Sequence, residues 1–470
     1  MRLFVIIVLL VQLTVAQNKQ LLYGFNDIPQ SLLLNPGAEV KNDWYFGIPL
    51  ISHIHANAGT SEATVYDIFA NNDINFNTKL QNAVYSMKSN DFVTINEQVD
   101  IFSGGFAFGN SFEKNEYISF GFYQETDIIT YFPKDYAILV LEGNADNINR
   151  RYNAGHLKVS GEALSVFHVG YNKKVNKAFT FGVRGKLYSS VVNINSVKNS
   201  GYFVTTPGDN NRYKHIFDLN MSLRTSGLAS LLEDDNSDLP NDIDTFKKRL
   251  FFGGNLGLGL DAGFTYRLTD QWTIDGSVAD IGFIRHSKDV ENYGVNGRFE
   301  YEGINPFFPS LDENETADDY WSNIEDEFSE LFTVDTTNTK YTTWRPVKLN
   351  ASVNYAFGKN RGRDCDCLTE DLEYQNAVGL QLYSIFRPKQ PQVALTAYYY
   401  RRLFKGLQVK GTYTVDSYSF YNLGLGLSSQ FAGVQFYLLA DNLLQYKNLY
   451  DAQNVSLQIG FNYIFNKNEN

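Results

Sequence analysis

The sequence predicts an all-β protein, a transmembrane antiparallel β-barrel of about fourteen strands, with a range of about twelve to sixteen. Three observations carry this expectation. The stretch Val455 to Phe465 alternates strictly: Val455, Leu457, Ile459, Phe461, Tyr463 and Phe465 fall on one face, and Ser456, Gln458, Gly460 and Asn462 on the other. That period of two suits a strand set between an apolar medium and a wetter interior. The same alternation recurs upstream in Val434 to Asp441, Leu423 to Ser428, Leu407 to Val415 and Val347 to Phe357, and each run is about ten residues, the length a tilted strand needs to cross a bilayer. Lastly, nothing beyond the leader approaches about eighteen consecutive apolar residues, so a membrane-bound form has to be a barrel and not a bundle of helices. A large soluble sandwich or solenoid also alternates, but the run length, the aromatic content of 15% and the leader weigh against it.

The leader is Arg2, an unbroken apolar run from Leu3 to Val11, then Thr14-Val15-Ala16 ahead of Gln17. A positive start, a short apolar core and small residues before a cut describe a secretory signal peptide over residues 1–16, with the mature chain beginning near Gln17. No Cys follows the cut, so no lipid anchor is expected. Residues 17–470 read as one domain, with 17–98 an N-terminal plug-like segment carrying the first strand and 99–466 the main barrel strands. The mean hydropathy of −0.28 does not oppose this, because half of every barrel strand faces a polar lumen. A net charge of −12 excludes the basic stripe that a nucleic-acid partner requires. Two Cys, at 365 and 367, do not make a disulfide scaffold.

Along the chain, Asn26 to Val40 has two prolines and no strand period, so lipid cannot face it. Ile28, Leu32, Leu33 and Leu34 are nonetheless too apolar for water, and a protein-lined lumen satisfies both demands. Leu32, Leu33, Leu34, Asn35, Pro36 and Gly37 are therefore the expected plug residues, with Pro36 and Gly37 supplying the turn that sends the chain back to the wall. Asp43 to His53 reads as a first strand broken by Pro49. Glu62 to Asp91 reads as a short helix or a luminal segment. Val99 to Phe108 and Tyr117 to Gln124 form a hairpin, and Pro133 to Gly143 a short helix, with Pro at its first turn and Gly past its last. Strands resume at Ala163 to Tyr171, Ala178 to Val191, Tyr202 to Thr206, His215 to Arg224, Gly257 to Arg267 and Trp272 to Ile284. After Val347 to Phe357 come Asn376 to Phe386, Val393 to Arg401, Leu407 to Asp416, Tyr418 to Ser428, Gly433 to Asp441 and the closing strand. Counting back from a periplasmic C-terminus puts most short turns inside and the long loops outside, Arg285 to Arg345 among them, the asymmetry of bacterial outer-membrane barrels, with the inner loop Gly358 to Leu372 and the tight outer turn at Ser417 fitting less well.

Several stretches resemble an uncharacterised family of Bacteroidota outer-membrane barrels, related to FadL-like transporters and to the PorV and PorP/SprF barrels of type IX secretion. They are Asn35-Pro36-Gly37, where the family tends to have Ala in the third place, Phe132-Pro133-Lys134-Asp135 leading to Gly143-Asn144, the stretch ALSVFHVGYNKKVNKAFTFGVRGKLY, and FYLLADNLL before the last strand. The resemblance implies a barrel of about fourteen strands with an N-terminal segment near or inside the lumen. It implies no substrate.

Reactive-looking residues have plainer readings beside them. Cys365 and Cys367 can hold a soft metal only with about two further ligands, and an exposed periplasmic turn with paired or idle thiols is the simpler reading. His53 and His55 share a face but make only two ligands. The acidic run Asp312 to Glu330 has nine carboxylates and lacks the Gly and terminal Glu of a calcium loop, so a solvated outer loop is the simpler reading. No G-x-S-x-G elbow occurs, and a Ser meeting His156 or His168 across the wall is all that remains for a barrel hydrolase. The expected function is therefore non-enzymatic and without a cofactor. The first reading is a FadL-like outer-membrane channel for a hydrophobic or amphipathic solute. The second is a non-catalytic barrel component of a secretion or surface-assembly machine, and a barrel hydrolase comes third. Outer-membrane lipid is the expected partner, with other outer-membrane or periplasmic proteins beside it. Transport predicts an apolar pocket joined to both sides or to the bilayer, whereas a scaffold predicts a lumen closed by packed side chains.

Overall fold

The computed structural model describes residues 19–109, 115–209, 212–232, 247–301, 334–359, 374–404 and 406–465. The strands, in order, are β1 (Trp44–Gly47), β2 (Ile54–Thr60), β3 (Phe92–Phe108), β4 (Glu116–Tyr131), β5 (Arg151–Asn153), β6 (Lys158–Lys174), β7 (Phe179–Pro207), β8 (Tyr213–Ser226), β9 (Asn255–Arg267), β10 (Trp272–His286), β11 (Val290–Tyr301), β12 (Asp335–Thr337) and β13 (Tyr341–Trp344). They continue with β14 (Lys348–Lys359), β15 (Tyr374–Ile385), β16 (Gln392–Phe404), β17 (Leu407–Val415), β18 (Asn422–Phe431), β19 (Val434–Asp441) and β20 (Asn454–Phe465). Fourteen antiparallel wall strands close a ring. Consecutive wall strands pair, and β20 returns to both β1 and β2, so the expected seal is present. Trp44 lies opposite Phe465 and Ile54 opposite Ile459.

The period of two sorts the wall into two faces. On β20, Leu457 (41% exposed), Tyr463 (44%) and Phe465 (59%) point outward, while Ser456, Gln458 and Asn462 are buried inside. Leu423, Leu425 and Leu427 on β18, and Val378, Leu380 and Leu382 on β15, repeat the outward apolar row. Most connections at the end where β20 finishes (the near end) are short, as at 268–271 and 432–433, the exception being 360–373, and the longest lie at the opposite, far end. Glycine at 433 and Ala432 take positive φ in the tightest near-end turn, as a two-residue hairpin demands.

Four expectations are corrected. The first wall strand is split: β1 and β2 occupy one position between β20 and β3. Between them lie Pro49, which has no N–H to give a ladder, and Leu50 at φ 67°. Neighbours still stitch the gap, with Leu50 N–H on Ile101 O at 3.2 Å and Phe461 N–H on Ile51 O at 3.0 Å. Of the two readings of residues 62–91 the helical one holds and the luminal one does not, with two helices in place of one, α1 (Val65–Phe69) and α2 (Phe76–Ser86), at the far end. Thr64 and Asp67 make a capping box for the first, and Asn75 caps the second. The stretches 178–191 and 202–206 are one strand, β7, which pairs β9 through Ser190 and β8 from Asn193 onward. It thus leaves the wall and stands beyond the far rim with β8 and β11, so the segments around 202–206 and 215–224 do not add wall strands. The excursion 285–345 is no simple loop, since its described flanks are β11, β12 and β13; Phe307, Phe308, Tyr320, Trp321 and the acidic run lie outside the described residues. The helix after Pro133 is as expected, α3 (Lys134–Glu142), ended by Gly143 at φ 69°.

Candidate functional site

Residues 19–43 occupy the ring's interior. The apolar half of this segment packs on the wall: Leu21, Leu22, Phe25 and Ile28 form a fully buried cluster with Tyr437 and Leu439, and Phe25 meets Tyr400 edge-on at 5.7 Å. A short turn of 3-10 helix, Pro29–Leu33, follows, with Pro at the position where no N–H is missed. Gln30 in it donates to Asn462 Oδ1 at 2.7 Å and to Ser52 O at 3.1 Å. Leu32 packs with Ala38, Tyr45, Tyr117 and Ile464, and Leu33 against the cluster of Tyr123, Leu164, Val166, Tyr188 and Ile284. Fully burying each such leucine contributes about 1.5–3 kcal/mol.

The turn Asn35-Pro36-Gly37 rests on a seat built by glycines. Gly182 on β7 and Gly263 on β9 are cross-strand partners facing inward. A Cβ on Gly182 would lie 1.9 Å from Pro36 O, and one on Gly263 2.1 Å from Asn35 Oδ1. No side chain fits at either place, so the backbone of the turn can touch the wall. The neighbouring wall residues supply donors: Asn172 Nδ2 to Pro36 O at 2.7 Å and Ala38 O at 2.9 Å, Thr265 Oγ1 to Gly37 O at 2.9 Å, and Ser277 Oγ to Leu34 O at 2.6 Å. Within the turn, Gly37 N–H donates to Asn35 Oδ1 at 2.9 Å. Arg184, fully buried two residues along β7, gives Nη1 to Leu32 O at 2.9 Å and Nη2 to Leu33 O, while its Nε binds Asp261 Oδ2 at 2.8 Å. From there an ion ladder runs to the far end: Lys186 bridges Asp261 (2.9 Å) and Asp280 (2.6 Å), Lys348 bridges Asp280 (2.8 Å) and Glu125 (3.1 Å), and Arg345 binds Glu125 (3.1 Å) and Glu162. Buried ions placed in alternating sign offset each other's desolvation.

The segment divides the interior. On its near side lies a chamber of about 600 Å³, lined among others by Asp27, Glu39, Lys41, Tyr117, Tyr400 and Arg402. On its far side a cavity of about 50 Å³ is bordered by Lys19, Glu125, Asp280, Lys348 and Arg387. The large chamber is predominantly polar and the small cavity mixed, so neither is the apolar pocket expected of a channel for hydrophobic solutes.

All the anticipated plug residues, Leu32 through Gly37, thus come together on the inner wall. The residues that receive them, Asn172, Gly182, Arg184, Gly263 and Ser277, escaped the sequence reading. Gly182 and Gly263 carried a signal, since glycine inside a strand often marks close approach of another backbone. His53 faces inward with Nδ1 at 2.8 Å from Tyr437 Oη, and its ring lies 6.4 Å from that of His55; among the described residues no group of three or more His, Cys, Asp or Glu is placed to hold a metal. Cys365 and Cys367 lie outside the described residues. His156 sits in a far-end loop, 3.6 Å from Asp135, and burial pushes its imidazole below the usual range. His168 lies on the inner wall against Tyr123. A Ser–His contact unforeseen from the sequence is Ser226 Oγ with His286 Nδ1 at 2.8 Å. Both are fully buried, and the other ring nitrogen meets Thr343 Oγ1 at 2.9 Å instead of an orienting carboxylate, so the pair ties β8 to β10.

Fold and interior together define a class: a closed antiparallel barrel with an apolar outer belt and its own N-terminal segment packed inside. The chain belongs to a family of unknown function (DUF5723), whose model matches residues 36–441. No curated protein matches it. Among solved structures, it is similar to the Ralstonia pickettii toluene transporter TbuX at 10% identity, over 93% of this chain and 94% of that one, with a TM-score of 0.43. A Pseudomonas aeruginosa FadL homologue is similar at 9% identity, over 93% and 94%, with a TM-score of 0.42. The translocator domain of autotransporter NalP from Neisseria meningitidis follows at 6% identity, over 91% of each chain, with a TM-score of 0.32. These are similarities of outline only.

Proposed function

We propose that the protein is an outer-membrane channel held shut by residues 19–43, with the near end periplasmic and the far end at the cell surface. The observation that carries this reading is the seat at Gly182 and Gly263, where the wall gives up side chains so that a separate segment can dock. A barrel needing only a filled core would fill it with its own inward side chains, as small barrels do. The outward rows of Leu, Tyr and Phe supply a lipid-facing belt. The tyrosines, carboxylates and cations of the near-end chamber suit a small amphipathic solute better than a hydrocarbon. A kinship with type IX secretion barrels and a Bacteroidota source stay expectations of the sequence resemblance.

The test is Gly263→Val with Gly182→Val, reconstituted in liposomes. The added side chains should unseat the turn and raise solute leakage, while the barrel keeps its heat-modifiable migration. Unchanged permeability together with loss of a co-purifying protein would favour the surface-assembly reading instead.

A further inference from the structure

A second glycine gap lies on the opposite stretch of inner wall, and its surroundings differ. Following the register inward-facing residue by residue, Thr412 on β17 lies opposite Gly424 on β18, Asp441 on β19 opposite Ser456 on β20, and Ser456 opposite Asn57 on β2. Leu425 pairs with Ala440, which brings Gly424 alongside Asp441, so the five positions make one row around the barrel. A Cβ on Gly424 would meet Thr412 Oγ1 at 2.4 Å and Asp441 Oδ1 at 2.6 Å. The two oxygens therefore converge above the only member of the row without a side chain.

These oxygens lack hydrogen-bond partners among the described residues. By strict geometry both carboxylate oxygens of Asp441, Thr412 Oγ1, Ser456 Oγ and Asn57 Oδ1 are in this state, as are both amide atoms of Gln458, Gln20 Oε1 and the amide nitrogens of Asn422 and Asn454, although the Ser456 hydroxyl is close enough to Asp441 to interact with it. Each of the residues is more than nine-tenths buried, and Asp441, Ser456 and Gln458 are wholly so. The nearby ammonium of Lys410 is occupied elsewhere, donating to the carbonyls of Leu21 and Tyr23. A buried carboxylate is strongly unfavourable as the bare anion and is relieved either by protonation or by a cation. A cavity of about 20 Å³ touches only the Asn57 end of the row, beside Gln20, so the space between Thr412 and Asp441 admits nothing larger than a water-sized or ion-sized occupant.

We infer that this row binds a single alkali cation of the sodium class, held by Asp441 on β19 with the hydroxyl oxygens of its row neighbours Thr412 on β17 and Ser456 on β20. Oxygen-only donors suit a hard cation. One carboxylate matches one positive charge, and the ammonium of Lys410 nearby disfavours a second. The site stands apart from the seat of the plug and does not depend on the channel reading.

The test is thermal unfolding of the full-length protein in detergent, in sodium chloride against choline chloride at equal ionic strength, with sodium NMR line broadening on the same samples. Sodium should raise the unfolding temperature saturably, as a ligand selective for the folded state does, and broaden its own resonance. Asp441→Asn and Gly424→Ala should each abolish the increment, while Asp73→Asn, on an exposed far-end loop, should keep it. Equal unfolding in sodium and choline without broadening would mean ordered water alone and overturn the proposal. An increment that survives Asp441→Asn, or one given by calcium only, would overturn it as well. Should Asp441→Asn not fold, the wild-type broadening and Gly424→Ala still decide.

Discussion

Two parts of the inner wall are opened by glycine, and they are filled according to opposite rules. At Gly182 and Gly263 the wall around the gap is rich in donors, Asn172, Arg184, Thr265 and Ser277, and what enters is a turn of backbone presenting carbonyls. At Gly424 a Leu21 methyl lies 3.1 Å from where a Cβ would be, and the oxygens of Asp441 and Thr412 beside it are left without close hydrogen-bond partners among the described residues. A strand glycine announces that something comes close. The balance of donors and acceptors beside it says what that something is: a carbonyl-bearing segment in the first case, a cation in the second.

The largest effect should come from removing the cation that holds the plug. Arg184→Ala leaves Asp261 and the carbonyls of Leu32 and Leu33 buried beside a gap, and breaking a buried pair on one side is expected to cost about 3–5 kcal/mol. Denaturant unfolding of the refolded barrel measures it. A loss near that of an exposed ion pair, below about 1 kcal/mol, would mean that water already reaches the seat and that the two gaps are not so different.

Much of the wall was legible in the sequence, because the period of two is a local signal that survives whatever the strand pairs with. The closing strand, its outward Leu457, Ile459 and Phe461, and the helix bounded by Pro133 and Gly143 follow from neighbours in the chain. The interior position of Leu32 to Gly37 was legible for a similar reason, as an apolar stretch without a strand period, while a plug role for them remains a proposal. The seat was not, since Gly182, Gly263 and Asn172 become one site only through the register of β6, β7 and β9. For the same reason the row through Asp441 spans residues from 57 to 456, and no spacing in the sequence announces it. The split first strand was half visible in Pro49. What was misjudged there is how far β7 runs on past the rim, because alternation does not say where a membrane-spanning strand becomes a free-standing sheet.

The inner face was also expected to tolerate water, which would make a charge at Asn462 mild and one at Ile459 severe. The structure changes the first half of that expectation. Asn462 is fully buried, joined to Gln30 of the plug at 2.9 Å and to Gln435 at 3.1 Å. Ile459→Lys should cost about 2–4 kcal/mol near the middle of the lipid-facing belt. Asn462→Lys should now be costly too, about 1–3 kcal/mol from groups left unpaired, and should in addition loosen the plug. Urea unfolding of both variants separates the faces: a neutral Asn462→Lys would show an inner wall wet enough to dissolve the distinction between its two gaps.

The smallest effect, and the sharpest for the comparison, belongs to Thr412→Val. Valine keeps the shape of threonine and removes a hydroxyl that no described donor or acceptor meets. Elsewhere in a protein, deleting a buried hydroxyl costs about 1 kcal/mol because its partner is stranded. Here no partner is stranded, so in choline the variant should unfold within about 0.5 kcal/mol of the wild type, the range of changes that disturb no specific feature. In sodium it should fall behind, because one of the oxygens that converge above Gly424 is gone. The corresponding change at the seat, Thr265→Val, strands Gly37 O in every salt. Thermal unfolding of the two variants in the two salts therefore gives four values, and salt dependence at position 412 alone is the outcome that keeps the acceptor-rich gap distinct from the donor-rich one.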